Sequence, residues 1–196
     1  MSKFIEAIKK NREDIIKPVG VLLAICIIIP LALSVTNKVT AKKIAELENE
    51  NSKKNMQSLV SADDFERCSD GGIDYYTAIK GGETAAYIFT ESAKGYGGDV
   101  SVMTAVKPDG TVAGVAILDV SNETPGLGQN AAKESFYSQY TGLKKGVSLL
   151  KNGAKAENNE VDAVTGATIT STAVTRAVNA ALDDFEKVKG ATVGEE

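Results

Sequence analysis

Residues Asp162 to Ser171 read DAVTGATITS and stand at the mouth of an amphipathic helix. Beyond them Val174, Ala177, Val178, Ala181, Leu182, Phe185 and Val188 recur three or four residues apart. On a 3.6-residue period these side chains form one apolar stripe, a face that has to be packed. Thr165, Thr168, Thr170 and Ser171 gather where such a helix has N–H groups without intrahelical partners and the positive end of its dipole. Gly166 and Ala167 put no bulk beside them. Hydroxyls and small residues at this position cap a helix, and the same arrangement suits a phosphate.

Upstream of this turn the pattern changes to strands. Segments 74–80, 84–92, 99–107 and 111–119 are short and rich in β-branched or aromatic residues. Gly81-Gly82, the run Gly95–Gly98 and Pro108-Asp109-Gly110 punctuate them, the last predicting a tight hairpin. Segment 130–140, with Phe136 and Tyr137, is a candidate helix, and 143–150 has no clear pattern. Residues 151–160, KNGAKAENNE, read as a loop, and 161–164 as a short strand feeding the threonine-rich turn. Strands followed by helices predict an α+β domain over 63–190, an antiparallel sheet covered by helices, with a short tail at 191–196.

The N-terminal third is different. No charged residue occurs over 18–37, and 19–35 (VGVLLAICIIIPLALSV) is almost wholly apolar. A helix of this length spans ~30 Å, the thickness of a bilayer core, and Pro30 is tolerated in such a span. A cleaved signal peptide is the competing reading. Against it, the apolar run exceeds the usual h-region, and the preceding residues include Glu6, Glu13 and Asp14. Lys3, Lys9, Lys10, Arg12 and Lys17 precede the span; Lys38, Lys42 and Lys43 follow it. That bias puts the N-terminus in the cytoplasm and the large C-terminal part outside. Residues 1–17 then form a cytoplasmic segment, 18–37 the membrane helix and 38–62 a helical stalk.

Composition narrows the chemistry. The chain of 196 residues has no histidine, and its two cysteines are Cys26 in the apolar run and Cys68 downstream. This removes imidazole acid–base chemistry, an intradomain disulfide and a thiolate metal cluster. With a net charge of −4 and no basic stripe, nucleic acid is not an expected partner. Any redox or group-transfer chemistry must come from a bound cofactor.

Two motifs resemble those of a known family. The string D-x-x-T-G-A-T over Asp162, Thr165, Gly166, Ala167 and Thr168 resembles the flavinylation motif of the FMN-binding domain family. Glu123-Thr124-Pro125-Gly126-Leu127-Gly128 resembles that family's E-T-P-G-L-G loop, and Gly95-Tyr96-Gly97-Gly98 its glycine-rich turn. One membrane segment, a stalk and one such domain together are similar to the G subunits of Rnf-type ion-translocating ferredoxin:NAD oxidoreductases. The related C subunits of sodium-translocating NADH:quinone reductases carry the same domain, usually in a longer chain.

The resemblance implies FMN bound covalently through a phosphodiester to Thr168, placed there by a flavin transferase. It also implies an electron-carrying role among other membrane subunits of a complex, with no turnover by this chain alone. Pro125 and Leu127 would then offer flat apolar contact to the ring, while Gly126 and Gly128 admit backbone close to it. Thr124 could bond its polar edge. Glu123 is either a solvated charge or a group that faces the flavin and disfavours its anionic reduced form. Tyr96 is a possible ring neighbour, although an aromatic there more commonly belongs to a core. A covalent flavoprotein of another extracytoplasmic chain, and a non-redox binding module in which the turn only caps a helix, remain as alternatives.

Overall fold

Two glycine pairs fold the middle of the chain into hairpins. Gly71 and Gly72 have φ of +56° and +83°, and Gly81 and Gly82 have +61° and +86°. Two successive left-handed residues make the two-residue loop whose twist suits adjacent antiparallel strands, and glycine adopts it without a Cβ penalty. The computed structural model describes residues 12–150 and 159–193. Residues 1–11, most of the expected loop at 151–160 and the end of the tail at 194–196 lie outside the described residues.

The loops join β1 (Asp64–Asp70), β2 (Ile73–Lys80) and β3 (Glu83–Lys94), and β4 (Asp99–Val106) and β5 (Val112–Asp119) follow. The five strands pair in sequence order, each antiparallel to the next. Lys107 donates to the Thr111 carbonyl at 2.8 Å across the Pro108-Asp109-Gly110 turn. β1 is a strand the sequence reading omitted. It is an edge strand, and its residues (DFERCSD) are charged and largely exposed, so they carry no alternating apolar signal.

Segment 130–140 is not one helix. A 3-10 turn (Gly128–Ala132), one turn of α-helix, α2 (Glu134–Tyr137), and a second 3-10 turn (Ser138–Tyr140) succeed one another. Lys133 is extended between the first two, at φ −79° and ψ 139°, which stops a continuous ladder. Phe136 and Tyr140 still reach the core and meet edge to face with centroids 5.7 Å apart. Ser148–Leu149 and Glu160–Val161 form a two-residue parallel pair, β6 and β7. Of the expected strand at 161–164, only Val161 is therefore paired.

The last helix, α3 (Thr168–Val193), lies across β3 and β4. Its whole stripe, Val174 through Val188, is buried in the main core with Phe89, Val100, Val102, Val106 and Val112 of the sheet. Leu182 and Phe185 are 1% and 3% exposed, and each such side chain stabilises by about 1.5–3 kcal/mol. The other face of the sheet carries small residues, Ala78, Ala86, Ala105 and Gly114.

The first helix, α1, runs over Arg12–Leu59. Within it Lys17–Lys38, with mean hydropathy 2.7 over its most apolar stretch, is long and apolar enough to cross a membrane. The chain divides into two units between Asn51 and Ser52. In the second unit the last turns of α1 pack on the small-residue face of the sheet. Met56 is 2% exposed, and a Cβ on Gly114 would stand 3.1 Å from Leu59 Cδ2.

Candidate functional site

Local hydrogen bonds shape the turn before α3. Ala167 N–H donates to the Val164 carbonyl at 2.9 Å, with Gly166 at φ +75° inside the turn. Glycine fits a left-handed third position of a tight turn better than any other residue. Ser171 Oγ accepts from Val164 N–H and donates to the Ala167 carbonyl, both at 3.0 Å, so it caps the turn from within the helix. Ser171 N–H makes the first bond back, to the Ala167 carbonyl at 2.9 Å. The amides before it stand at the positive end of a 26-residue helix without intrahelical partners.

The hydroxyls of this segment are not equivalent. Thr170 and Ser171 are 1% and 0% exposed, and both are engaged in hydrogen bonds. Thr172 Oγ1 donates to the Thr168 carbonyl at 2.7 Å. Thr168 is exposed at the head of the helix, and its hydroxyl makes no hydrogen bond to the described residues.

Glu123 reaches this helix from the loop after β5. Its carboxylate is 2% exposed and accepts the Thr170 hydroxyl on Oε2 and the Gly97 N–H, at 2.9 Å, on Oε1. Burial alone would raise this carboxyl. The Thr170 hydroxyl and the N–H groups of Gly97, Gly98 and Tyr96 outweigh burial and hold it below its ordinary range. Glu123 is thus a buried, ionised acceptor rather than a solvated charge. In the same loop Gly126 has φ +76°, and Asn130 Nδ2 donates to its carbonyl at 2.5 Å.

These segments enclose a cavity of about 540 Å³, lined by Tyr96, Glu123, Thr124, Leu127, Gly128, Gly166, Ala167, Thr168, Ile169 and Thr170. Nine residues singled out from the sequence, all of the lining but Ile169, therefore converge. Pro125 and Gly126 shape the loop without lining the cavity. Asp162 and Thr165 line a second, more open cleft on the far side of the turn, with Lys133, Phe136 and Gln139. Tyr96 is no core residue: it is 71% exposed at the cavity's edge, because the glycine turn that carries it projects from the sheet. Ile169 was missed as a cavity residue, and its only sequence signal was adjacency to Thr168.

Among the described residues outside α1, the exposed large apolar side chains are Tyr96, Leu127 and Ile169, at 71%, 44% and 54%. All three line this cavity. An apolar rim beside a helix N-terminus fits a molecule with an aromatic ring at one end and an anion at the other. A flavin mononucleotide has that form, and the volume falls in the ordinary range of ligand sites, roughly 300–1,000 Å³.

Comparison with known proteins agrees. Residues 95–183 match the model of the FMN-binding domain. The chain is 40% identical over 165 residues to the G subunit of the proton-translocating ferredoxin:NAD(+) oxidoreductase complex of Clostridium ljungdahlii, covering 84% of this chain and 85% of that one. It is 34% identical to the G subunit of the Na(+)-translocating complex of Acetobacterium woodii, covering 86% and 90%. Among solved structures it resembles the C subunit of the Na(+)-translocating NADH-quinone reductase of Parabacteroides distasonis, at TM-score 0.51 and 28% identity. That match covers 58% of this chain and 61% of the other, so the likeness spans about three fifths of the solved chain. Residues 95–183 thus match an FMN-binding domain, and the chain belongs to the family of G subunits of ion-translocating ferredoxin:NAD(+) oxidoreductase complexes.

Proposed function

We propose that this chain is a membrane-anchored electron carrier whose FMN is joined by a phosphodiester to Thr168. The observation that carries the reading is the free, exposed Thr168 hydroxyl at a helix N-terminus, beside an apolar-rimmed cavity. The bond needs an activated donor, because free FMN would have to lose water. A pyrophosphate-linked flavin dinucleotide serves: the Thr168 oxygen attacks the flavin-side phosphorus, a nucleoside monophosphate leaves, and the hydroxyl proton is released. A flavin transferase would catalyse this step.

When bound, FMN supplies reversible electron acceptance and donation. The residues around it bind and orient. The first-turn amides of α3 would hold the phosphodiester anion. Tyr96, Leu127 and Ile169 cover apolar surface, and Thr124 stands at the polar edge of the cavity. The carrier would serve the other membrane subunits of an Rnf-type complex, with no turnover alone. The basic-residue bias around the span supports a domain outside the cytoplasm.

Protein co-produced with a flavin transferase should gain the mass of FMN less water on the peptide containing Thr168, and Thr168→Ala should remove it. Flavin that survives denaturation of the Ala variant would refute the assignment. Protease added outside intact spheroplasts should cleave beyond Lys38. Protection of the whole domain would reverse the topology.

A further inference from the structure

We propose that Glu123 is the positioning residue of this cavity. Its buried carboxylate ties the first turn of α3 to the Gly95–Gly98 turn, and the tie consumes the Thr170 hydroxyl while leaving Thr168 presented outward. The inference rests on the assignment of Thr168 as the flavin acceptor and adds the device that selects it.

Three observations carry it. First, the tie joins segments distant in sequence: Glu123 lies 47 residues from Thr170 and 26 from Gly97. No local propensity holds these segments together, so the walls carrying Tyr96, Leu127 and Thr168 keep their spacing through contacts of this kind. Second, the surroundings are built to let the carboxylate in. A Cβ on Gly95 would lie 2.5 Å from Glu123 Oε1, and one on Gly128 would lie 2.7 Å from Oε2 and 2.8 Å from Thr170 Oγ1. A side chain on Gly97 would collide with the Asn122 carbonyl. Each of these glycines permits a close approach that any larger residue would block.

Third, residues two apart on a helix point to nearly opposite sides. Thr168 and Thr170 do so, one exposed and the other 1% exposed. An ionised carboxylate is an acceptor only, so the Thr170 hydroxyl must donate to it. A phosphoryl group approaching Thr170 would meet that negative charge where water cannot screen it, and the Gly128 backbone stands over the oxygen. Burial, hydrogen bonding and charge all exclude Thr170 as the acceptor.

The test uses full-length protein in detergent, co-produced with a flavin transferase, as wild type, Glu123→Gln, Thr170→Val, Thr170→Ser and the double variant Glu123→Gln/Thr170→Val. Flavin occupancy is read by peptide mass mapping and local order by hydrogen exchange of the peptide spanning 95–98. An amide cannot accept at both positions as a carboxylate does, and valine removes the donor. Each of these changes should lower occupancy of Thr168 at least threefold and speed exchange of the 95–98 peptide at least tenfold. Thr170→Ser should restore most of both. The double variant should be no worse than the poorer single one, because both break one tie.

Wild-type occupancy in Glu123→Gln and Thr170→Val would overturn the proposal, as would losses that multiply in the double variant, a serine variant no better than valine, or flavin on wild-type Thr170. Should Glu123→Gln fail to fold, the near-isosteric Thr170→Val, which leaves Glu123 its bond from Gly97, decides the question by itself. The exchange measurement needs no flavin. A wild type that takes up none would therefore refute the acceptor assignment, while unchanged exchange in the variants would refute the tie.

Discussion

Gly128→Ala places one methyl group into the Glu123–Thr170 pair. Gly128 opens a 3-10 turn and is not left-handed, so alanine meets no backbone strain and the cost is one of space. The added carbon would stand 2.7 Å from Glu123 Oε2, 2.8 Å from Thr170 Oγ1 and 2.9 Å from Glu123 Cβ, all inside van der Waals contact. None of these atoms is the free end of a mobile chain. Relief requires either moving the turn, an overpacking cost of about 1–3 kcal/mol, or parting the hydrogen bond to a buried carboxylate, worth about 1.5–3 kcal/mol. A net loss of about 1–3 kcal/mol follows, which at roughly 4 °C per kcal/mol lowers the melting temperature by about 4–12 °C. The chain has no tryptophan, so tyrosine fluorescence reports the core through Tyr75 and Tyr140. A melting temperature within about 2 °C of wild type would mean that the carboxylate does not lie against Gly128.

Three further outcomes follow from the same structure. Thr104 is fully buried in β4 and its hydroxyl has no partner among the described residues, so Thr104→Val should raise stability by about 1 kcal/mol in thermal melts. Burial, and then the charge of neighbouring Asp184, raise the Glu91 carboxyl, with Lys187 partly opposing. A raised carboxyl holds its proton longer in the folded state, so stability falls as pH rises through its folded pKa. Glu91→Gln should therefore melt higher than wild type at pH 7, and the difference should vanish at a pH below the ordinary glutamate range. Leu127→Asp, at a 44% exposed position, should leave the melting temperature nearly unchanged while shifting the spectrum and potential of the attached flavin.

The sequence alone determined whatever is written in local periodicity and turn chemistry. The stripe from Val174 to Val188 is the face that packs, the strands β2 to β5 follow their β-branched and aromatic runs, and the charge-free stretch before Asn37 lies within a single apolar helix. The turn at Gly166 was legible because only a glycine-tolerant position produces it. Where no local signal exists, the sequence was silent. β1 is a charged edge strand held by pairing with β2, and pairing leaves no mark on composition. Segment 128–140 breaks into short turns because Phe136 and Tyr140 must reach the core while Lys133 stays extended. Two assignments were decided by tertiary structure alone. Tyr96 stands out at the cavity edge rather than in the core, and Thr170 and Gly97 close on Glu123 across long separations in the chain. Such contacts depend on how the sheet, loop and helix dock, and a residue's neighbours in sequence do not specify its neighbours in space.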